Sequence, residues 1–414
     1  MRARSVLSAL VSLFALTVVA CGGSAGSSGG SQTGQDLVIG VPMSITGVQA
    51  KEGGLAKQGY DLWLDWINAQ GGVNANGTKH KVVLKYEDDQ SKPDISAQLT
   101  TKLITQDKAQ LLLGPYGSAT TASDAVVAEK NGIPMVEANG AAQAIFNNGY
   151  KYTFGVLSPA NKYLEGVIDM AATLNPKPST MAMLSADDSF SLEVAKAAQE
   201  YATSKGFNVV YTDRYPNGST NLSGLVANAK AKNPDMVLNS GHLAEAVAIN
   251  KAAKDLRLEA KLYAYSVGPS TPDFVNSLGP DSHYVYGGSQ WTPQVKYKPS
   301  FYLSVPDYVA AYKKKYATSD DPDYHVAEST AACLALQKAI ENAGSVKPDK
   351  VRDALASLDV ITFFGRIKFD SRGINTYKPM VVEQIQTDGK HHTVFPPDVA
   401  DAKPQYPTPA WSSR

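Results

Sequence analysis

Cysteine is nearly missing from this chain: Cys21 and Cys333 are the only two among 414 residues. That excludes a disulfide framework as the source of stability, and with it a Cys-x-x-Cys redox pair. An excess of charge of either sign is missing too. Lys and Arg total 39, Asp and Glu total 39, and the formal net charge is zero, which argues against a nucleic-acid partner. Past the first twenty residues no uninterrupted apolar run reaches membrane-spanning length, so a water-soluble body is expected for the bulk of the chain.

Signatures of catalysis and metal binding are scarce as well. There is no P-loop, no Gly-x-Gly-x-x-Gly after the first strand and no His-Glu-x-x-His, and the literal Gly-x-Ser-x-Gly at residues 26–30 lies in a Gly/Ser stretch too floppy to form a strained elbow. His391-His392 has no second ligand pair nearby and is expected in a solvated turn. Glu87-Asp88-Asp89 lacks the glycine and the spaced carboxylates of a calcium loop, and is expected to cap a strand end. Lys313-Lys314-Lys315 reads as a helix's wet face. No enzyme activity, metal or cofactor is expected.

What is present begins at the N-terminus. Arg2 and Arg4 precede an apolar stretch at residues 6–19, the layout of an export signal. It ends in Val18-Val19-Ala20-Cys21, which resembles the lipobox of bacterial lipoproteins; the alternative is an ordinary signal peptide with a chance cysteine. The resemblance implies that residues 1–20 are removed, that Cys21 is acylated, and that residues 21–35 tether a folded body to a membrane surface. The tether is almost wholly Gly, Ser, Thr and Gln. Cys333, left without a partner in Ala332-Cys333-Leu334, is expected to be a small buried hydrophobe.

From Asp36 onward short apolar runs alternate with amphipathic stretches. Strands are expected at residues 37–43, 82–86, 111–113, 133–137 and 150–156, with helices at 55–69 and 93–106, the latter turning Ile95, Leu99, Leu103 and Ile104 inward. The rhythm restarts with strands at 181–184, 209–212, 236–238, 262–265 and 284–286, separated by helices near 161–174, 192–204, 222–231 and 243–256. Two βα series imply an α/β fold of two doubly wound parallel-sheet lobes. Helices return at 306–316, 326–342 and 348–358, and the chain closes with strand-like 361–364, 381–386 and 393–395 around turns that read as antiparallel.

Ligands of open α/β sheets bind off the carboxyl ends of strands, so the cleft between two such lobes is where a site is expected. The most suggestive stretch is Leu113-Gly114-Pro115-Tyr116-Gly117-Ser118, a strand that turns through Gly and Pro into a small-residue helix. Free amides at that helix start favour a carboxylate or phosphate by about 0.3–1 kcal/mol. Trp291, at a strand end, reads equally as a cleft wall or as a packed hinge residue.

These residues together resemble a known family, the type I periplasmic binding proteins of the leucine/isoleucine/valine-binding kind, receptors of ABC importers. The resemblance rests on Ile39-Gly40-Val41-Pro42-Met43, Ile67-Asn68-Ala69-Gln70-Gly71-Gly72, Tyr86-Glu87-Asp88-Asp89, Leu113-Gly114-Pro115, Asn131-Gly132-Ile133-Pro134 and Phe364-Gly365-Arg366-Ile367-Lys368-Phe369-Asp370, in that order along nearly all of the mature chain. It implies a three-segment hinge near residues 154–159, 287–293 and 364–369. Lobe 1 is then 36–156 plus 292–364, and lobe 2 is 157–291 plus 365–414.

The resemblance also implies a site. In the first lobe, the turn Tyr116, Gly117 and Ser118 and the loop Asn139, Gly140 and Ala141 would hold an amino acid's carboxylate and ammonium. Phe190 stands where a second-lobe aromatic closes on the ligand, and His242 where another aromatic often stands. Two departures follow. The loop at 138–142 lacks the usual Thr or Ser hydroxyl, and Ser266 replaces the carboxylate that branched-chain receptors use. Either Glu52, Glu137, Asp187 or Asp188 supplies that acid, or the ligand is not an α-amino acid, because a buried ammonium without a countercharge costs several kcal/mol.

The expected function is capture of an amino acid or related small carboxylate by lobe closure, followed by delivery to a membrane permease. A monomer is expected, lipid-anchored outside the cytoplasm. The alternatives are a sensory module serving a signalling receptor and, with His242 beside the turn at Ser118, an esterase-like hydrolase.

Overall fold

The strand Leu37–Met43 is buried along almost its whole length, as a central parallel strand covered on both faces must be. In the structure, a computed structural model that describes residues 32–414, it pairs in parallel with Val82–Asp88 on one side and Leu111–Leu113 on the other. Met135–Glu137 and Thr153–Gly155 complete the five-stranded sheet. In chain order these strands sit 2-1-3-4-5, so the winding reverses between Leu37–Met43 and Leu111–Leu113. Open sheets leave a crevice at the carboxyl edge of that reversal, because the flanking connections leave it on opposite faces.

The second sheet repeats the device. Asn208–Tyr215, Thr180–Ala186, Met236–Ser240, Leu262–Tyr265 and Val285–Ser289 are parallel and again ordered 2-1-3-4-5. Its reversal lies between Thr180–Ala186 and Met236–Ser240. Val381–Ile385 and His391–Phe395 then add antiparallel to the far edge. The expected α/β architecture of two doubly wound sheets is the one observed.

Helix Tyr324–Ala343 is buried on nearly every side over its first four turns, which fits a helix sandwiched inside a core. It lies across Ala50–Ala69 at close range because Gly59 has no side chain: a Cβ there would sit 2.2 Å from the Val326 carbonyl oxygen. Thr330 Oγ1 donates to the Gly59 oxygen (2.9 Å) and Trp63 Nε1 to Gln337 Oε1 (2.9 Å). Cys333 is fully buried in this helix, as a small hydrophobe should be.

Three segments between the sheets are stitched to one another. Ser158 N donates to Gln290 Oε1 (3.0 Å) and Gln290 Nε2 returns to the Ser158 oxygen (2.9 Å). Asn375 Nδ2 donates to both the Val156 and the Arg366 oxygens (2.9 and 2.8 Å). Phe364, Ile367 and Phe369 belong to the first core, and Gly365–Lys368 pairs with Asp359–Thr362. Residues 364–369, where the resemblance implies a hinge segment, thus pack with the first core.

Other local differences have physical reasons. Pro93–Thr105 buries Ser96 and Thr100 beside Leu103, while Ile95, Leu99 and Ile104 are half-buried; Ser96 Oγ bonds Asp124 Oδ2 (2.7 Å) on the next helix, making that seam polar. His391 and His392 stand on a strand rather than in a turn, with His392 between Asp388 and Asp401. Pro272–Leu278, a short helix capped by Thr271, was not legible. Asp88 and Asp89 cap the strand end as expected, accepting from the Ile45 and Thr46 amides and from Ser44 Oγ.

Candidate functional site

The two winding reversals face each other, and each contributes a turn. From the first sheet comes Gly114 to Ser118. Gly117 takes φ 95°, a conformation that disfavours any side chain, and this starts helix Ser118–Asn131 while burying the Tyr116 ring in the interior (3% exposed). Tyr60 holds the turn by donating to the Gly114 oxygen (2.9 Å). Beneath it Glu137, fully buried, accepts from the Gly140 amide (2.7 Å), the Asn139 amide and Thr121 Oγ1 (2.9 Å). Burial outweighs those bonds and pushes Glu137 up to about 7. Its role is to brace the Asn139-Gly140 loop.

From the second sheet come Asp188 and His242, each preceding a helix. Asp188 accepts from the Phe190 and Ser191 amides (3.0 and 3.1 Å). His242 Nε2 lies 3.4 Å from Asp188 Oδ2, and Nδ1 lies 3.3 Å from the Tyr116 hydroxyl. Burial pushes the imidazole down, but the charge and hydrogen bond of Asp188, with Glu245 and Glu52 behind them, carry it up to about 9. Burial would raise Asp188; His242 and Ser191 outweigh it and hold the carboxylate far below its usual range. The pair is therefore ionised at neutral pH.

Between these turns is a narrow cleft with about 10 Å³ of free volume, room for about one water in this arrangement. Six of the expected residues line it: Tyr116, Gly117, Ser118, Asn139, Phe190 and His242. The others lie elsewhere. Gly140 backs onto Thr121. The Ala141 oxygen accepts from the Ala160 amide (2.8 Å). Ser266 spends its hydroxyl on Gly241 (3.2 Å to the oxygen), leaving neighbouring Val267 on the wall. Glu52 caps the facing helix across the cleft through the Leu243 amide (3.0 Å). Trp291 is packed at the crossover, its Nε1 on the Phe363 oxygen (3.0 Å) and its ring edge-on to Tyr308 and Phe363. Cys21 lies outside the described residues.

Tyr163, Tyr324, His325 and Glu328 complete the cavity wall and were not anticipated. Three of them open helix Tyr324–Ala343, whose composition reads as core. The available signal was His325 and Glu328 three residues apart on one face of an otherwise apolar helix. Glu328 is 1% exposed, and its carboxyl has no hydrogen-bond partner among the described residues, with Oε2 sealed from solvent. Burial pushes it well above the usual carboxyl range, Lys378 opposing and Asp323 and Glu137 reinforcing. Asn139 Oδ1 is also buried without a partner, while its Nδ2 donates to Ser329 Oγ (3.1 Å).

The cavity thus offers two orphaned acceptors, Glu328 and Asn139 Oδ1, a cationic His242 with the Tyr116 hydroxyl, and aromatic walls. Among the described residues lining the cleft, Ser118 and His242 are not hydrogen-bonded to each other. Ser118 Oγ accepts from the Ala142 amide (3.1 Å), whereas His242 turns to Tyr116 and Asp188.

The family model described as "Periplasmic binding protein" matches residues 36–390. This chain belongs to the periplasmic binding protein family. The binding protein is 26% identical to Leu/Ile/Val-binding protein homolog 8 of Brucella abortus over 388 residues, covering 90% of this chain and 93% of that one. Among solved structures it is similar to the branched-chain amino acid transporter substrate-binding protein LivJ of Streptococcus pneumoniae in complex with isoleucine, with a TM-score of 0.76 at 20% identity over 87% of this chain and 100% of that one. A solute-binding protein of an ABC transporter from R. palustris, in complex with benzoate, aligns with a TM-score of 0.72 at 19% identity, over 86% and 95%. At these identities the likeness is one of fold, and the cavity residues carry the argument about ligand.

Proposed function

We propose that this binding protein is the extracytoplasmic receptor of an ABC importer and that it traps a small α-amino acid between its lobes. Lobe 1 comprises residues 36–156 plus 292–364, extended through Phe369, and lobe 2 the remainder of 157–414. The observation that carries the reading is Glu328, a buried carboxyl lining the cleft between the turns with no partner of its own. An ammonium brings three donors and a positive charge, which Glu328 and Asn139 Oδ1 accept, while His242, the Tyr116 hydroxyl and the start of helix Ser118–Asn131 suit the ligand's carboxylate. The countercharge that Ser266 cannot supply comes from a different element.

Closure supports the reading. Gln143 grips Glu193 (2.9 Å), Lys51 meets Asp273 (3.1 Å), and Glu52 caps the Leu243 amide across the cleft. A ligand enclosed there loses its water, and each polar contact strengthens. Cys21 acylation, a monomeric state, and handing the closed form to a permease rather than to a signalling receptor belong to the same proposal.

A second reading has one observation behind it: burial keeps Glu328 protonated, and a neutral carboxyl can donate to a carboxylate that has no amino group, such as an aromatic acid. A thermal-shift screen of amino acids against their deaminated analogues separates the two, because only a ligand of the folded state raises the midpoint. A shift with amino acids alone supports the ammonium reading; a shift with the deaminated acids alone overturns it. Solution scattering should show compaction on adding the active ligand.

A further inference from the structure

We propose that the groove between residues 319–324 and the antiparallel strands Val381–Ile385 and His391–Phe395 is a second ligand site, for an organic amine cation. The groove holds about 590 Å³ and shares only Tyr324 with the cavity between the turns. Its depth is set by the edge of the second sheet, where Glu383 pairs in register with Gly287 on Val285–Ser289. Gly287 keeps that register position open: a Cβ there would stand 3.0 Å from Pro269 Cβ and 3.6 Å from Glu383 Oε1.

Glu383 is 5% exposed and lines the groove, and its carboxyl has no hydrogen-bond partner among the described residues. Ser270 Oγ, also lining the groove and 7% exposed, is equally unpartnered. Two such atoms, enclosed and unmet, define a site for a group that donates hydrogen bonds. The charge around them fixes its sign. Asp320, Asp321, Asp323, Glu383 and Asp401 face the groove against Lys313 and Lys390.

Lys313 is committed to Asp321 (2.7 Å) and His392 to Asp401 (3.2 Å), while Asp323 accepts from His325 Nδ1 (2.7 Å) and the Val326 amide. His391 gives its Nε2 hydrogen to the Pro269 oxygen (2.6 Å), and burial holds it below its ordinary value and neutral. Those pairings leave Asp320 and Asp323 against Lys390, an excess of negative charge, and Glu383 Oε1 is sealed from solvent with no hydrogen-bond partner among the described residues. Among the described residues no group of three or more His, Cys, Asp or Glu could hold a metal ion. The cation is accordingly an amine, its carbon chain lying on Trp291, Pro272 and Pro293, which also line the groove.

Two features give this site a consequence. Tyr324 walls both spaces, and Asp323, on the groove side, is hydrogen-bonded to His325 on the cavity side. The amine would also touch elements of both sheets, so its occupancy favours the arrangement in which they are close. Burial, then the charge of Asp323, raises Glu383 to about 8; an ammonium bound beside it favours the ionised form, so amine affinity rises with pH until the amine itself loses its proton.

The test is calorimetry of the purified protein with 1,4-diaminobutane at pH about 6 and about 9, in wild type, Glu383→Gln, Ser270→Ala and Glu328→Gln. Expected are saturable binding by wild type, tighter at the higher pH, about tenfold weaker in Glu383→Gln with the pH dependence gone, weaker in Ser270→Ala, and changed less by Glu328→Gln than by either groove variant. Circular dichroism checks that Glu383→Gln is folded; should it not be, the Ser270→Ala result decides. The proposal is overturned by absent saturable binding, by equal binding in wild type and the two groove variants, or by loss in Glu328→Gln alone, which would place the amine in the other cavity.

Discussion

Tyr116 and His242 meet across the interface of the two sheets, hydroxyl to Nδ1 at 3.3 Å, and each stands at the winding reversal of its own sheet. Neither is near the other in sequence. Their meeting follows from two 2-1-3-4-5 sheets set with their carboxyl edges face to face, which brings the turn after Leu111–Leu113 against the turn after Met236–Ser240. The imidazole arrives already ionised by Asp188, so the site presents positive charge beside a hydroxyl before any ligand enters.

That charge has a pH signature. The folded value of His242, about 9, lies above its ordinary 6.5, so its contribution to stability is complete below pH about 6.5 and is lost as pH rises through about 9. His242→Gln should be less stable than wild type at pH about 6, with the gap in thermal midpoint closing by pH about 10. A gap independent of pH would remove the ion pair with Asp188 from the account.

Glu328 predicts a proton. If the ligand is an α-amino acid, its ammonium ionises a carboxyl that burial keeps protonated, so binding releases a proton to the buffer. Calorimetry in two buffers of different ionisation enthalpy should report that release. Glu328→Gln should abolish it and weaken binding by about 2–5 kcal/mol, the cost of leaving a buried charge unpaired.

Gly59→Ala tests how the site is assembled at a distance. The added methyl would lie 2.2 Å from the Val326 oxygen, so helix Tyr324–Ala343 must shift, carrying Tyr324, His325 and Glu328 with it. Loss of about 1–3 kcal/mol of stability, together with weaker ligand binding, is expected in denaturation and titration experiments.

Ser118→Ala separates bracing from contact. Ser118 Oγ accepts from the Ala142 amide (3.1 Å), and removing it orphans a buried donor at a cost of about 1–3 kcal/mol. The expected effect is on the unfolding midpoint, with ligand affinity changed by less than Glu328→Gln changes it. Equal effects of the two variants on affinity would assign the hydroxyl to the ligand.

The sequence by itself determined the alternation of strand and helix, because each is written in local periodicity: the apolar run Leu37–Met43 and the amphipathic stretch 55–69 of helix Ala50–Ala69 need no partner to be recognised. It determined the turn at Tyr116 to Ser118 as well, since Gly-Pro before a small-residue helix restricts the backbone locally. Only the tertiary structure decided what that turn faces. Glu328 and His325 sit in a helix whose burial comes from contact with Ala50–Ala69, more than 250 residues earlier in the chain, and Asp188 ionises His242 through a distance no spacing rule encodes. Trp291 shows the same divide. Its size marked it for burial, but whether it lined a cleft or packed a crossover depended on Phe363 and Tyr308, brought to it from the first core. Propensity and periodicity act over a few residues; the charge state and the acceptors of a cavity are set by whatever the fold packs around it.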